Sequence, residues 1–149
     1  MNKLKYLFLL LFIFNACSYE PILSKKKYNF NFTEVETTGN KFINKIIQEN
    51  LLSKSQGNRN VKINLKSNKD KKVISSNKKG DPVNFKIKIN VDYIVYENNM
   101  EIIKDKIFKE VTYNNINDKF ELSQYEDNTI INLSNNISSD ILTSLLTLD

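Results

Sequence analysis

The chain has 149 residues, a formal charge of +5, 40% hydrophobic and 26% charged content, which suits one domain with a real core and argues against wholesale disorder. It has no histidine and one cysteine, Cys17, which excludes Cys/His zinc centres, Ser-His-Asp and Cys-His catalysis, and any intrachain disulfide. The positive charge is nearly all lysine, with Arg59 the lone arginine, so arginine forks and clustered aromatic platforms are missing and no nucleic-acid partner is expected. Carboxylates alone could still do chemistry. No acid cluster sits where strand and loop signals would build a site, so the chain is read as neither an enzyme nor a cofactor or metal carrier.

The chain opens with Lys3 and Lys5 and no acid, followed by an unbroken apolar or aromatic run from Tyr6 to Phe14. This is the layout of a signal peptide, predicted over residues 1–16, and it is shorter than the roughly 20 apolar residues of a membrane-spanning helix. Ala16 then precedes Cys17, which resembles the lipobox of bacterial lipoproteins, although Phe14 and Asn15 stand where that motif has Leu and a small residue. The resemblance implies cleavage before Cys17 and fatty acylation (palmitate or its like) at the lipid-attachment residue Cys17. Tens of buried methylenes at about 0.8 kcal/mol each would make the anchor permanent. The alternatives are an ordinary signal peptide or an uncleaved anchor with a coincidental cysteine. Loss of Lys3 and Lys5 would lower the charge from +5 to +3. Ser18, where lipoproteins kept at the inner membrane have Asp, implies an outer-membrane address. Residues 17–27, with Pro21 and three lysines, are expected to be a lipidated tether, leaving 28–149 as a single α+β domain.

Within that domain Tyr28, Phe30 and Phe32 alternate with Asn29 and Asn31, predicting a half-buried strand. Asn40 is placed to cap a helix over Lys41 to Lys54, whose Phe42, Ile43, Ile46, Ile47, Leu51 and Leu52 are expected to form one stripe, with Gly57 as a stop. Val61, Ile63 and Leu65 alternate with Lys62, Asn64 and Lys66 in a second strand. The basic stretch from Lys66 to Lys79 is expected to be a mobile loop, closed by the turn signal Gly80, Asp81, Pro82. The third strand alternates from Val83 to Val95. After a turn at Glu97 to Asn99, a fourth strand is expected from about Glu101 to Tyr113, where Ile103, Ile107, Val111 and Tyr113 share one parity and Ile102 and Phe108 the other, which predicts a bulge or a partly covered outer face. Ser123 and Glu126 read as a capping box opening a second helix that runs to about Leu146. The expected architecture is a four-stranded, mostly antiparallel sheet with two amphipathic helices packed on one face, in the order β-α-β-β-β-α.

Cys17 followed by an aromatic and "EPIL", the passage from Ser75 and Ser76 through Gly80 to Phe85, Ile87, Tyr93 and Val95, and the C-terminal "YEDNTIINLSNNISSDILTSL" resemble the lipopolysaccharide-assembly lipoprotein (LptE) family. Ile22 and Leu23 stand where that family has a Leu-Tyr pair, and arginine is scarce. The resemblance implies an outer-membrane, periplasm-facing plug inside the β-barrel LptD, which helps the barrel fold and hands lipopolysaccharide to the cell surface. Its partners would be LptD, lipopolysaccharide and the membrane that holds the N-terminal lipid. An auxiliary lipoprotein of a lipid-transporting ABC-type system is the rival expectation.

The outward parity of the strands carries Lys62 and Lys66, Lys86 and Lys88, and Lys104 and Lys106. If the strands are neighbours, these side chains share the free face and could attract the phosphates of a lipid A head group, with Arg59 adding the one bidentate contact available. The other reading is a solvated face written in lysine.

Overall fold

The structure, a computed structural model, describes residues 28–148. Six elements follow in the order β1 (Phe30–Gly39), α1 (Lys41–Ser53), β2 (Arg59–Ser76), β3 (Pro82–Glu97), β4 (Met100–Asn114) and α2 (Lys119–Leu146). The expected signal peptide, Cys17 and the tether lie outside the described residues.

The four strands lie side by side in sequence order, β1-β2-β3-β4. β1 runs parallel to β2, the crossover being made by α1, whereas β2, β3 and β4 form an antiparallel meander. Along β2 the buried Val61, Ile63, Leu65 and Ser67 alternate with Lys62, Asn64 and Lys66, so one face of the sheet is sealed and the other is not. Both helices pack on the sealed face, α1 through Ile43, Ile47 and Leu51 and α2 through Ile130, Ile137, Ile141 and Leu145. The expected layout is therefore the observed one.

Local chemistry sets most of the boundaries. Asn40 Oδ1 accepts the amides of Phe42 and Ile43, as its capping role requires. Asn98 and Asn99 both have positive φ, 51° and 63°, which builds the tight turn between β3 and β4 in the twist that suits a hairpin. Asn77 Oδ1 accepts the amides of Lys79 and Asp81 and closes the turn between β2 and β3. Val95 pairs with Ile103 and Tyr96 with Glu101, so Ile102 is the extra residue of a bulge, which accounts for its parity, while Phe108 stays in the regular ladder on the free face.

Three expectations need correction. The first strand starts at Phe30 rather than Tyr28 and continues to Gly39, because Glu34 to Gly39 find ladder partners in Lys62 to Ser67. The Lys66 to Lys79 segment is mostly strand, not loop: residues Ser67 to Val73 pair one for one with Val91 to Phe85. Its inward lysines are accommodated because Lys71 lays its ammonium over the Phe85 ring at 4.6 Å and reaches a carboxylate on α2. The last helix begins at Lys119 with Asp118 as its cap, Oδ1 accepting from Phe120 and Glu121, about a turn before Ser123. The earlier start buries Leu122 and frees Glu126 for a tertiary contact in place of the expected capping box.

The joint between β1, α1 and β2 is polar and buried. Ser67 Oγ, under the first turn of α1, donates to Asn44 Oδ1 at 2.6 Å and accepts the Asn40 amide, while Asn44 Nδ2 donates to the Thr38 carbonyl. Every group in this joint is matched, so a polar layer costs little there and fixes where the helix starts on the sheet.

Candidate functional site: the helix-free face

The free face is read row by row from the ladder register. Glu34, Lys62 and Tyr96 form one row; Glu36, Asn64, Ile94 and Lys104 the next; Thr38, Lys66, Asp92 and Lys106 a third. Farther along, Asn68, Asn90 and Phe108 share a row, then Asp70, Lys88 and Glu110. The structure thus brings Lys62, Lys66, Lys86, Lys88, Lys104 and Lys106 onto one face. Register also places acids among them, so the face has mixed charge.

Lys62 meets Glu34 at 2.9 Å, Lys86 meets Glu110 at 2.9 Å and Lys106 meets Asp92 at 3.2 Å. The hydrogen bond to Glu34 raises the Lys62 pKa, and the one from Lys86 lowers that of Glu110. These are exposed pairs, and each adds little stability while cancelling a charge that a ligand would otherwise meet. Lys88 sets its ammonium over the Phe108 ring at 4.3 Å, which explains how a 55%-exposed aromatic sits on this face. Lys66 and Lys104 have no ion pair among the described residues. With Asn64, Asp92, Ile94 and Lys106 they line a shallow hollow of about 660 Å³ in the middle of the face.

Arg59 sits at the start of β2. Its Nε and Nη2 donate to the two carboxylate oxygens of Glu97 at 2.9 and 2.8 Å, and its guanidinium lies 5.1 Å over the Phe30 ring. That bidentate bond holds Glu97 below the usual carboxylate range. Arg59 is thereby engaged within the fold. Strand parity marks the lysines but not their acidic neighbours Glu34 and Glu110. Parity marks a face, and only register marks a neighbour.

A second cluster stands at the far end of the sheet, on the helix side. Tyr113 stacks on Phe85 with centroids 5.6 Å apart and leans on Tyr125 at 5.3 Å, and its hydroxyl donates to Glu126 Oε1 at 2.7 Å. Lys71 from β2 bonds the same oxygen. Burial raises the Glu126 carboxyl pKa, but the hydrogen bonds from Lys71 and Tyr113 outweigh it and leave the group below its ordinary value. Burial, and then the same carboxylate, push the Tyr113 phenol far up. Glu126 therefore clasps the β2 extension to the head of α2.

A carboxyl whose pKa is lower folded than unfolded adds stability above its unfolded value and loses it as pH falls through the folded one. Glu126, Glu97 and Glu110 all have this sign, so stability is expected to hold from pH 7 to 5 and to decline below about pH 4.5. Urea midpoints across that range should show Glu126→Gln flattening part of the acid limb. An acid limb as steep as the parent's would show that the clasp does not contribute.

These features define an open-faced two-layer α+β domain whose sheet is covered by helices on one side only. Solved structures with this layout carry lipoprotein names. Rare lipoprotein B from Shewanella oneidensis superposes with a TM-score of 0.60 at 14% identity, over 77% of this chain and 95% of that one. A minor lipoprotein from Acinetobacter baumannii gives 0.57 at 7% identity, over 79% and 90%. Lipoprotein B from Nitrosomonas europaea gives 0.52 at 14%, over 80% and 86%. At these identities the likeness is one of fold. No family model matches the chain, and no curated protein matches it in sequence.

Proposed function

We propose that the chain is a lipid-anchored outer-membrane lipoprotein of the lipopolysaccharide-assembly (LptE) type, seated as a plug in the β-barrel LptD and assisting lipopolysaccharide delivery to the surface. The observation that carries this reading is the helix-free face: four strands wide, polar with lysines and acids interspersed and some of them paired, and set with Ile94, Tyr96 and Phe108. A face that only met water would have no need of Ile94 and Tyr96, whereas one held against a polar barrel lumen gains from apolar anchors set among charges. The fold shared with rare lipoprotein B and the lipobox-like Cys17 support the same reading.

Tagged, full-length chain extracted from native outer membranes should bring down a large β-barrel protein. Recovery without any such barrel would end the proposal, and recovery with a phospholipid-transporting ABC system would favour the rival class.

Lipopolysaccharide binding offers a finer test. Lys66 has no ion pair to compete for it, while Lys86 is held by Glu110. Lys66→Glu is therefore expected to weaken binding by about tenfold and Lys86→Glu by less, a charge-pair difference of about 1 kcal/mol. Far-UV circular dichroism should be unchanged for both. Equal binding by parent and Lys66→Glu would return this lysine to the solvent.

A further inference from the structure

Among the described residues β4 is an edge strand, with β3 on one side and nothing hydrogen-bonded on the other. Its helix-side residues Ile103, Ile107 and Val111 are only half buried, whereas their ladder partners Val95, Val91 and Ile87 are sealed. An unpaired edge with a half-covered apolar stripe is a docking surface unless its charges repel a partner.

The charges do the reverse for one partner. When β4 is laid antiparallel against a copy of itself about a two-fold axis at Ile107, Lys104 opposes Glu110, Asp105 opposes Lys109, which also holds Asp140 of its own α2, Lys106 opposes the Phe108 ring, and Ile103 opposes Val111, each pair occurring twice. The axis places Ile107 beside Ile107 of the second copy. Neighbouring registers that keep each face aligned fail. An axis at Lys106 sets that lysine against itself, one at Asp105 does the same with the acid, and one at Phe108 sets Asp105 against Val111 and Lys109 against Ile107. The bulge at Ile102 ends the regular ladder just beyond Ile103, so the matched segment is also the segment with regular edge geometry.

We propose that two copies of this chain pair through β4, from Ile103 to Val111, into one continuous eight-stranded sheet with all four helices on the same side. Each copy completes the cover over the other's Ile103, Ile107 and Val111. Lys104, which has no ion pair among the described residues, gains a share of Glu110 of the second copy, a carboxylate that also holds Lys86 of its own chain. The pairing uses the edge and not the free face, and it describes the chain free of a barrel, since a plug enclosed by barrel wall has no edge to offer a second copy.

Sedimentation of the full chain in density-matched detergent tests it. The parent is expected to dimerise reversibly. K104E and E110K, which each place like charges across the axis, should raise the dissociation constant more than tenfold. An equimolar mixture of K104E and E110K should recover the dimer, since the two chains are complementary only to each other. Mild oxidation of I107C should cross-link it more than V111C, with the parent run alongside to show what Cys17 contributes. A parent that stays monomeric overturns the proposal, as does a dimer indifferent to both charge changes, or I107C and V111C cross-linking alike. Recruitment of a strand from another protein would appear as the first of these results.

Discussion

Alanine at position 39 is expected to cost the fold about 3 kcal/mol or more, from left-handed backbone strain and overpacking together. Gly39 has φ +95°, a region that side chains resist, and a Cβ built there would lie 2.0 Å from the Ser67 carbonyl oxygen. That carbonyl belongs to β2 and receives the Asn40 amide, so relief of the clash would have to open the joint that starts α1. Gly80 supplies the control. Its φ is +88°, but nothing lies within 4 Å of the added atom, so Gly80→Ala should cost only about 1 kcal/mol. Urea unfolding of both variants separates strain from collision. Equal losses would mean that the close approach of β1 and β2 at Gly39 carries no energetic weight.

Phe30→Ala should be of similar size, about 3 to 5 kcal/mol. Phe30 is fully buried at the head of β1, where the described fold begins, and it is the surface against which Arg59 lays its guanidinium. Truncation would leave a cavity beneath the Arg59–Glu97 pair and weaken the edge strand that bears Glu34 and Glu36 on the free face. Thermal or urea unfolding measures the loss. A cost below about 1 kcal/mol would show that the first turn of chain after the predicted tether is not part of the core. Because Gly57 sits with its Cα against the backbone of Asn29 and Phe30, little room exists for β1 to shift and fill the gap.

Both substitutions act where the parallel pair β1–β2 is built, and that pairing was the less legible part of the fold. The antiparallel half was plain, because alternation from Val83 to Val95 and the Asn98–Asn99 turn are local signals that a hairpin turns directly into structure. The Lys66 to Ser76 extension gave no such signal. Its lysines and serines read as loop, and it is a strand because β3 is long enough to need a partner there. The start of α2 shows a local signal weighed wrongly: Asp118 and Glu121 have the same spacing as Ser123 and Glu126, and the burial of Leu122 decides between them.

The candidate site divides in the same way. Strand parity put Lys62 and Lys66, Lys86 and Lys88, and Lys104 and Lys106 on the outward side of their own strands, since a period of two leaves no other choice once Ile63 and Ile87 face the core, and the strand order then made those sides one face. Parity could not say that Glu34, Asp92 and Glu110 would stand beside three of them, nor that Arg59 would close on Glu97 across 38 residues.

What the sequence determined by itself is the set of periodicities: which residues seek the core, where the helices can start, and that the sheet must have a free face. The tertiary structure decided the pairings. It joined Glu126 to Lys71, matched each lysine to an acid or left it open, and exposed β4 as an edge. The physical reason is range. Propensity, capping and alternation act over a few residues, whereas register and charge neighbours exist only after strands distant in the chain have been brought together.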